Sequence, residues 1–150
     1  MKTPIWLPKF GDLPKSTSNP AEDYVLSSLI SRIRNDHPST YGLVAFHVKN
    51  ESKRTTGQIR ADKAKGLTKG VSDLIVIGNP TLCMEIKKDN SCRFEDGQLD
   101  FLQQAQRQGA FVCLAIGYQG AKDAFEYWLK LPSICHLATI ILKRNTLTGI

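Results

Sequence analysis

Residues 66–88 read GLTKGVSDLIVIGNPTLCMEIKK, and this stretch decides how the rest of the chain is understood. Leu74 to Ile77 is a short β-branched-rich run, Gly78-Asn79-Pro80-Thr81 is a turn signal, and Leu82 to Ile86 is a second apolar run. Together they predict a β-hairpin. Side chains two apart on a strand share a face, so Glu85 and Lys87 point the same way. Residues directly opposite in an antiparallel pair also share a face. Asp73 therefore shares a metal with Glu85 only if the two lie opposite each other. A three-residue connection (Ile77 facing Thr81) or a five-residue one (Val76 facing Leu82) meets this condition, and a four-residue loop breaks it. An odd-length turn or a bulge is expected. The competing reading has Asp73 capping the start of a strand and Glu85 and Lys87 as a solvated edge pair.

The bulk properties narrow the class. With 150 residues and 41% hydrophobic content, the chain can bury a core as one compact domain. Cys83, Cys92, Cys113 and Cys135 lack metal-ligand spacing and read as reduced thiols of a cytosolic protein. The N-terminal stretch is broken by Pro4, Pro8 and Lys9, and no apolar run approaches the roughly 20 residues that span a bilayer. A soluble protein of the cytoplasm is expected, in a bacterial or phage-infected cell.

The net charge is +6, and it is concentrated: between Lys49 and Gly70 stand seven Lys and Arg against Glu51 and Asp62. Lys53, Arg54, Arg60, Lys63, Lys65 and Lys69 belong to this block. Running directly into Asp73, it suits a polyanion whose phosphates release counterions on binding. A solvated Lys-rich face is the bland alternative. Gly66 and Gly70 would let the backbone approach a phosphodiester closely, or simply serve turns.

Along the chain, residues 1–19 form a Pro-rich arm with Ile5, Trp6, Leu7 and Phe10, packing on its own core or on a partner. Pro20 to about His37 is the first predicted helix, with Asn19 as N-cap and Glu22 at N3. Its stripe is Val25, Leu26, Leu29, Ile30 and Ile33. Glu22 heads that stripe, which is a place for a functional acid, and it equally completes a capping box with Asn19. Leu43 to Val48 reads as a strand containing His47, and Gln58 to Lys65 as a short helix or ordered loop. Asp96 to Gln108 is a helix capped by Asp96 and ended by Gly109. Gln98 starts its buried side, poised to bond a catalytic carboxylate or a water, or to sit blandly at a helix end. Phe111 to Ile116 is a strand, Gly120 to Leu129 a helix, and Leu137 to Leu142 an apolar run that extends the sheet or docks. The order α-β-β-β-α-β-α is mixed α/β.

These residues carry a resemblance. Glu22, Phe46-His47-x-x-Asn50-Glu51-x-x-Arg54, Gly66-x-x-x-Gly70-x-x-Asp73-Leu74, Glu85-x-Lys87 and Gln98 with its helix, glycine and strand resemble the virus-type replication-repair nuclease (VRR-NUC) domain of the PD-(D/E)xK nuclease superfamily. The likeness spans roughly Glu22 to Lys130 and assigns a domain over residues 20–130, with 131–150 as an extension packed on it. It departs at Ser72, where the family usually has proline, and it leaves the arm and the tail without counterparts.

The resemblance implies a restriction-endonuclease-like core, a central mixed sheet flanked by helices, and phosphodiester cleavage dependent on Mg²⁺ or Mn²⁺. It implies metal ligation by Asp73, Glu85, the Ile86 backbone carbonyl and Glu22, the last directly or through water. Lys87 would position the attacking water and Gln98 would support it. Asn50, Lys53, Arg54, Arg60, Lys63, Lys65, Gly66, Lys69 and Gly70 would meet DNA, and stand-alone members imply a homodimer acting on Holliday junctions or other branched DNA. Such metals prefer hard oxygen ligands and several waters, in keeping with acids and no His/Cys cluster. A lysine between carboxylates stays protonated, so Lys87 is read as an electrostatic group and not as a general base. A sequence-specific restriction or homing-type nuclease, and a non-catalytic nucleic-acid-binding module, are the alternatives.

Overall fold

The computed structural model describes residues 2–48 and 55–133. Its centre is β4 (Leu82–Lys87), every residue of which is buried. A strand covered on both faces must be apolar throughout, which is why Leu82, Cys83, Met84 and Ile86 do not alternate with polar residues. Glu85 and Lys87 are the exceptions. β3 (Leu74–Val76) pairs antiparallel with one side of β4 and β5 (Phe111–Ile116) pairs parallel with the other. β2 (Ala45–His47) and β1 (Lys9–Phe10) complete a five-stranded mixed sheet in the order β1-β5-β4-β3-β2.

The hairpin has the register that the chemistry requires. Leu74 pairs with Met84, Ile75 with Cys83 and Val76 with Leu82, leaving residues 77–81 as the connection. Five residues is odd, so Asp73, one step beyond the ladder, continues onto the face of Glu85. The Trp128 indole Nε1 donates to Pro80 O at 2.8 Å and pins the turn to the last helix.

Helices cover both faces. α1 (Glu22–Asp36) supplies Val25, Leu26, Leu29 and Ile33, and α5 (Gly117–Leu129) supplies Ala121, Ala124, Phe125 and Trp128, packed on Leu74, Val76, Met84 and Ile86. α4 (Gln98–Arg107) lays Leu102 on the other face, against Cys83, Val112 and Leu114. Leu102 is fully buried, so its truncation to alanine should cost about 2–5 kcal/mol. α4 is the crossover between parallel β4 and β5. Two shorter helices, α2 (Tyr41–Val44) and α3 (Thr56–Ala64), flank β2 in the chain.

Several expectations are corrected. α1 begins at Glu22 with Ala21 as its N-cap and no side-chain cap. Asn19 does not cap it, because its Nδ2 donates to Pro14 O at 2.8 Å within the arm. Glu22 is thus the first helical residue, and no capping box forms. α4 is preceded by Gly97, not capped by Asp96, whose carboxylate pairs with Lys69. Only Ala45–His47 of the stretch from Leu43 to Val48 is strand, since Tyr41–Val44 closes a helical turn first. α5 starts at Gly117, directly after β5, earlier than Gly120. α3 is a helix from Thr56, and there a capping box does form: Thr55 Oγ1 accepts from Gln58 N, and Gln58 Oε1 from Thr55 N.

The arm packs on its own core. Lys9 and Phe10 pair in parallel with Leu114 and Ala115, and Leu7 is buried. Leu137 to Leu142 lies outside the described residues.

Candidate active site

Because strand side chains repeat every second residue, Glu85 and Lys87 both emerge on the α4 face near the end of β4. Lys87 Nζ lies 2.9 Å from Glu85 Oε1. It also donates to Gln98 Oε1 at 3.3 Å. The Gln98 oxygen accepts a second bond, from Glu95 N at 2.7 Å. Both partners are donors, so the amide orientation is fixed and the Nε2 group is what Gln98 has left to offer. Asp73 Oδ2 accepts from Ile86 N at 2.9 Å, and Glu22 Oε1 accepts from Lys88 N at 3.1 Å. The two outer acids thus grip the backbone on either side of Lys87. His47 Nδ1 is 2.7 Å from Asp73 O. A carbonyl only accepts, so this ring nitrogen carries the proton.

The electrostatics are unbalanced. Glu85 is fully buried, and beyond its ion pair neither of its oxygens has a well-oriented hydrogen bond. Burial, and then the negative charge of Asp73, push its pKa up to about 8 against the pull of Lys87. Burial also raises Asp73, opposed by the Ile86 amide and by Lys87. Burial by itself would lower Lys87, but Glu85, with Glu22 and Asp73, outweighs it and holds the ammonium above the ordinary lysine value. Lys87 therefore remains a cation and cannot serve as a base near neutral pH. Glu85 lies closest to the ammonium while Asp73 and Glu22 act on it from further off, and a cation at the site would favour the ionised form of Glu85. Among the described residues, no three His, Cys, Asp or Glu side chains are grouped to hold a metal ion.

A cleft of about 770 Å³ opens over these groups, lined by Glu22, His47, Asp73, Lys87 and Gln98, and Glu85, itself fully buried, contacts the lining through Lys87. The structure thus brings all five candidate catalytic residues to one place. Lys88 and Glu95 also line it and were not foreseen. Lys88 contributes through its amide to Glu22 and Glu95 through its amide to Gln98, and side-chain spacing carries no signal for such bonds.

The residues expected at DNA divide. Arg60, Lys63, Lys65 and Lys69 are exposed on or after α3. Asn50, Lys53 and Arg54 lie outside the described residues. The two glycines have structural explanations. Gly66, at φ +87°, ends α3: its N–H bonds Lys63 O at 3.1 Å and that of Leu67 bonds Asp62 O at 2.9 Å. Gly70, at φ +74°, is buried, and a Cβ there would fall 2.2 Å from Gly97 C and 2.5 Å from Gln98 N. It packs the chain against the start of α4, so close approach to a phosphodiester does not explain it.

The fold matches that of a solved structure described as a VRR_NUC domain protein, with a TM-score of 0.64 at 19% identity, covering 76% of this chain and 92% of that one. At this identity the likeness establishes a shared fold, the mixed sheet flanked by helices. No family model matches the sequence, and no curated protein does. No helix among the described residues is long and apolar enough to cross a membrane, and Cys83, Cys92 and Cys113 are free thiols.

Proposed function

We propose that this chain is a divalent-metal-dependent DNA endonuclease acting on branched or junction DNA. The observation that carries the reading is Lys87, buried between Glu85 at 2.9 Å and Gln98 at 3.3 Å, with Asp73 one step beyond the ladder on the face of Glu85. A buried lysine against surplus acid has little structural merit, since such a pair repays its desolvation poorly. A fixed positive charge of this kind suits a site that stabilises a developing phosphorane.

The donor set fits Mg²⁺ or Mn²⁺. Glu85 has two buried oxygens without oriented hydrogen bonds, and these hard cations accept one or two carboxylates and keep several waters. Asp73, Glu85 and the Ile86 carbonyl would hold the ion, and Glu22, engaged with Lys88 N, would reach it through water. A bound ion of this kind supplies Lewis-acid polarisation and a more acidic water. Lys87 places a fixed positive charge against the phosphate as charge develops. Gln98 directs its Nε2 hydrogens to a phosphate oxygen or to the attacking water. Arg60, Lys63, Lys65 and Lys69 contribute sequence-independent attraction for the backbone. A homodimer would present two such sites to the arms of one junction.

Incubation of the protein with a four-way junction and a matched linear duplex, each with Mn²⁺, Mg²⁺ or EDTA, tests the reading. Cleavage of the junction with metal alone is expected. Tight binding with no cleavage in either metal would reject it, and cleavage confined to one site on linear duplex would reject the junction preference.

A further inference from the structure

A second cleft, of about 850 Å³, lies between α3 with its following loop and the turn that opens α4. Glu95 and Gln98 line this cleft and the candidate active site alike, so the two spaces adjoin at these residues. Its α3 wall mixes apolar and basic groups. Ile59 and Leu67 line it while 53% and 44% exposed, alongside Lys63 and Lys69. No residue of α3 is buried, so the core does not account for Ile59. Glu95 and Asp96 form the opposite wall, where Asp96 pairs with Lys69.

We infer that this cleft holds an unpaired stretch of nucleic acid leading into the active site, an inference that rests on the nuclease reading. A duplex hides its base faces and presents sugar and phosphate, to which Ile59 and Leu67 offer nothing. An unpaired strand presents both kinds of surface: phosphates for the lysines and base faces for the apolar side chains. The basic residues stand on the same wall as Ile59 and Leu67, and the acids opposite keep the phosphates on that wall. The Lys69–Asp96 pair is exposed on both sides and contributes little, so a phosphate displaces Asp96 readily. A strand in this cleft carries its next phosphodiester past Gln98 to Lys87. The substrate class is therefore duplex or branched DNA with a single-stranded segment beside the cut.

The test is fluorescence anisotropy of the full chain in EDTA with a labelled duplex, blunt or carrying a thymine tail. Wild type should bind the tailed form roughly tenfold more tightly, the scale of one or two base contacts. Ile59→Asp and Leu67→Asp should remove that preference, bringing tailed and blunt affinities together even where the added charge weakens both, with Tm nearly unchanged because both residues are exposed. Ile59→Phe should keep it. Equal wild-type affinity for the two forms, or a preference that survives both Asp variants, would overturn the inference. Metal-dependent cleavage of blunt duplex with no tail preference overturns the cleft alone. A tail preference that is lost in the Asp variants, without cleavage of any substrate, supports the cleft and removes the nuclease reading.

Discussion

Asp73 Oδ2 accepts the amide of Ile86, so the acid just before β3 is tied to the residue between Glu85 and Lys87. One hydrogen bond fixes the separation of the two strands where the carboxylates meet. It also aims the Asp73 carboxylate at the end of β4, and the first consequence concerns the cation beside it.

Lys87→Met removes the ammonium and keeps most of the buried stem. Loss of one preorganised charge at a transition state costs about 10²–10³ in rate. Single-turnover cleavage of a junction should fall by that factor or more, with DNA affinity in EDTA nearly unchanged. Equal losses of binding and cleavage would place Lys87 in binding alone.

Glu85 gives the apo-protein a pH dependence whose sign can be stated. Its folded pKa of about 8 lies above the ordinary 4.5, so between these values the folded state holds a proton that the unfolded state has released. Stability from this group is complete below the ordinary value and is lost as pH rises through 8. Asp73, also raised, adds in the same direction. Urea unfolding in EDTA should show a decline of up to a few kcal/mol from pH 5 to pH 9 in wild type. Glu85→Gln should flatten much of it. An equally steep decline in the variant would mean that Glu85 is ionised in the fold.

Metal binding should release protons. A cation beside Glu85 and Asp73 favours their charged forms, so Mn²⁺ affinity should rise with pH up to about 8, the value to which Glu85 is pushed. Calorimetric titration at pH 7 in buffers of different ionisation heat should give a net proton release. Identical heats in all buffers would contradict the assigned site.

Gly70→Ala tests a contact that composition does not announce. The residue combines φ +74° with a Cβ position inside the backbone of Gly97 and Gln98. Strain of this kind costs on the order of 1–3 kcal/mol before the clash is counted. The variant should lose stability and shift Gln98, whereas Gly66→Ala, with open space around it, should lose only the backbone strain of its φ of +87°, about 1–2 kcal/mol. A Gly70→Ala protein with unchanged Tm would refute the packing role.

The sheet's centre was legible because apolar runs are local properties, and counting residues across the turn set the condition, met by the five-residue connection, for Asp73 to share the face of Glu85. Gln98 and Glu22 were legible as polar residues heading apolar stripes. The helix starts were not, because cap preference ranks residues without knowing their competing partners. Asn19 was diverted to Pro14 O, and Asp96 to Lys69. The strand made by Lys9 and Phe10 was equally hidden, since a two-residue edge pairing has no period to detect.

Glu22 separates the structural and chemical parts of the site. Its Oε1 holds the amide of Lys88, a bond that a glutamine can also accept, while its charge is available to an ion through water. Glu22→Gln should therefore retain the wild-type Tm, and Glu22→Ala should lose about 1 kcal/mol with the bond. Cleavage should fall in both, and raising Mn²⁺ should restore Glu22→Gln more than Glu22→Ala, because only the former keeps Lys88 in place. Wild-type cleavage by Glu22→Gln would make Glu22 a structural anchor of α1 and leave the ion to Asp73 and Glu85.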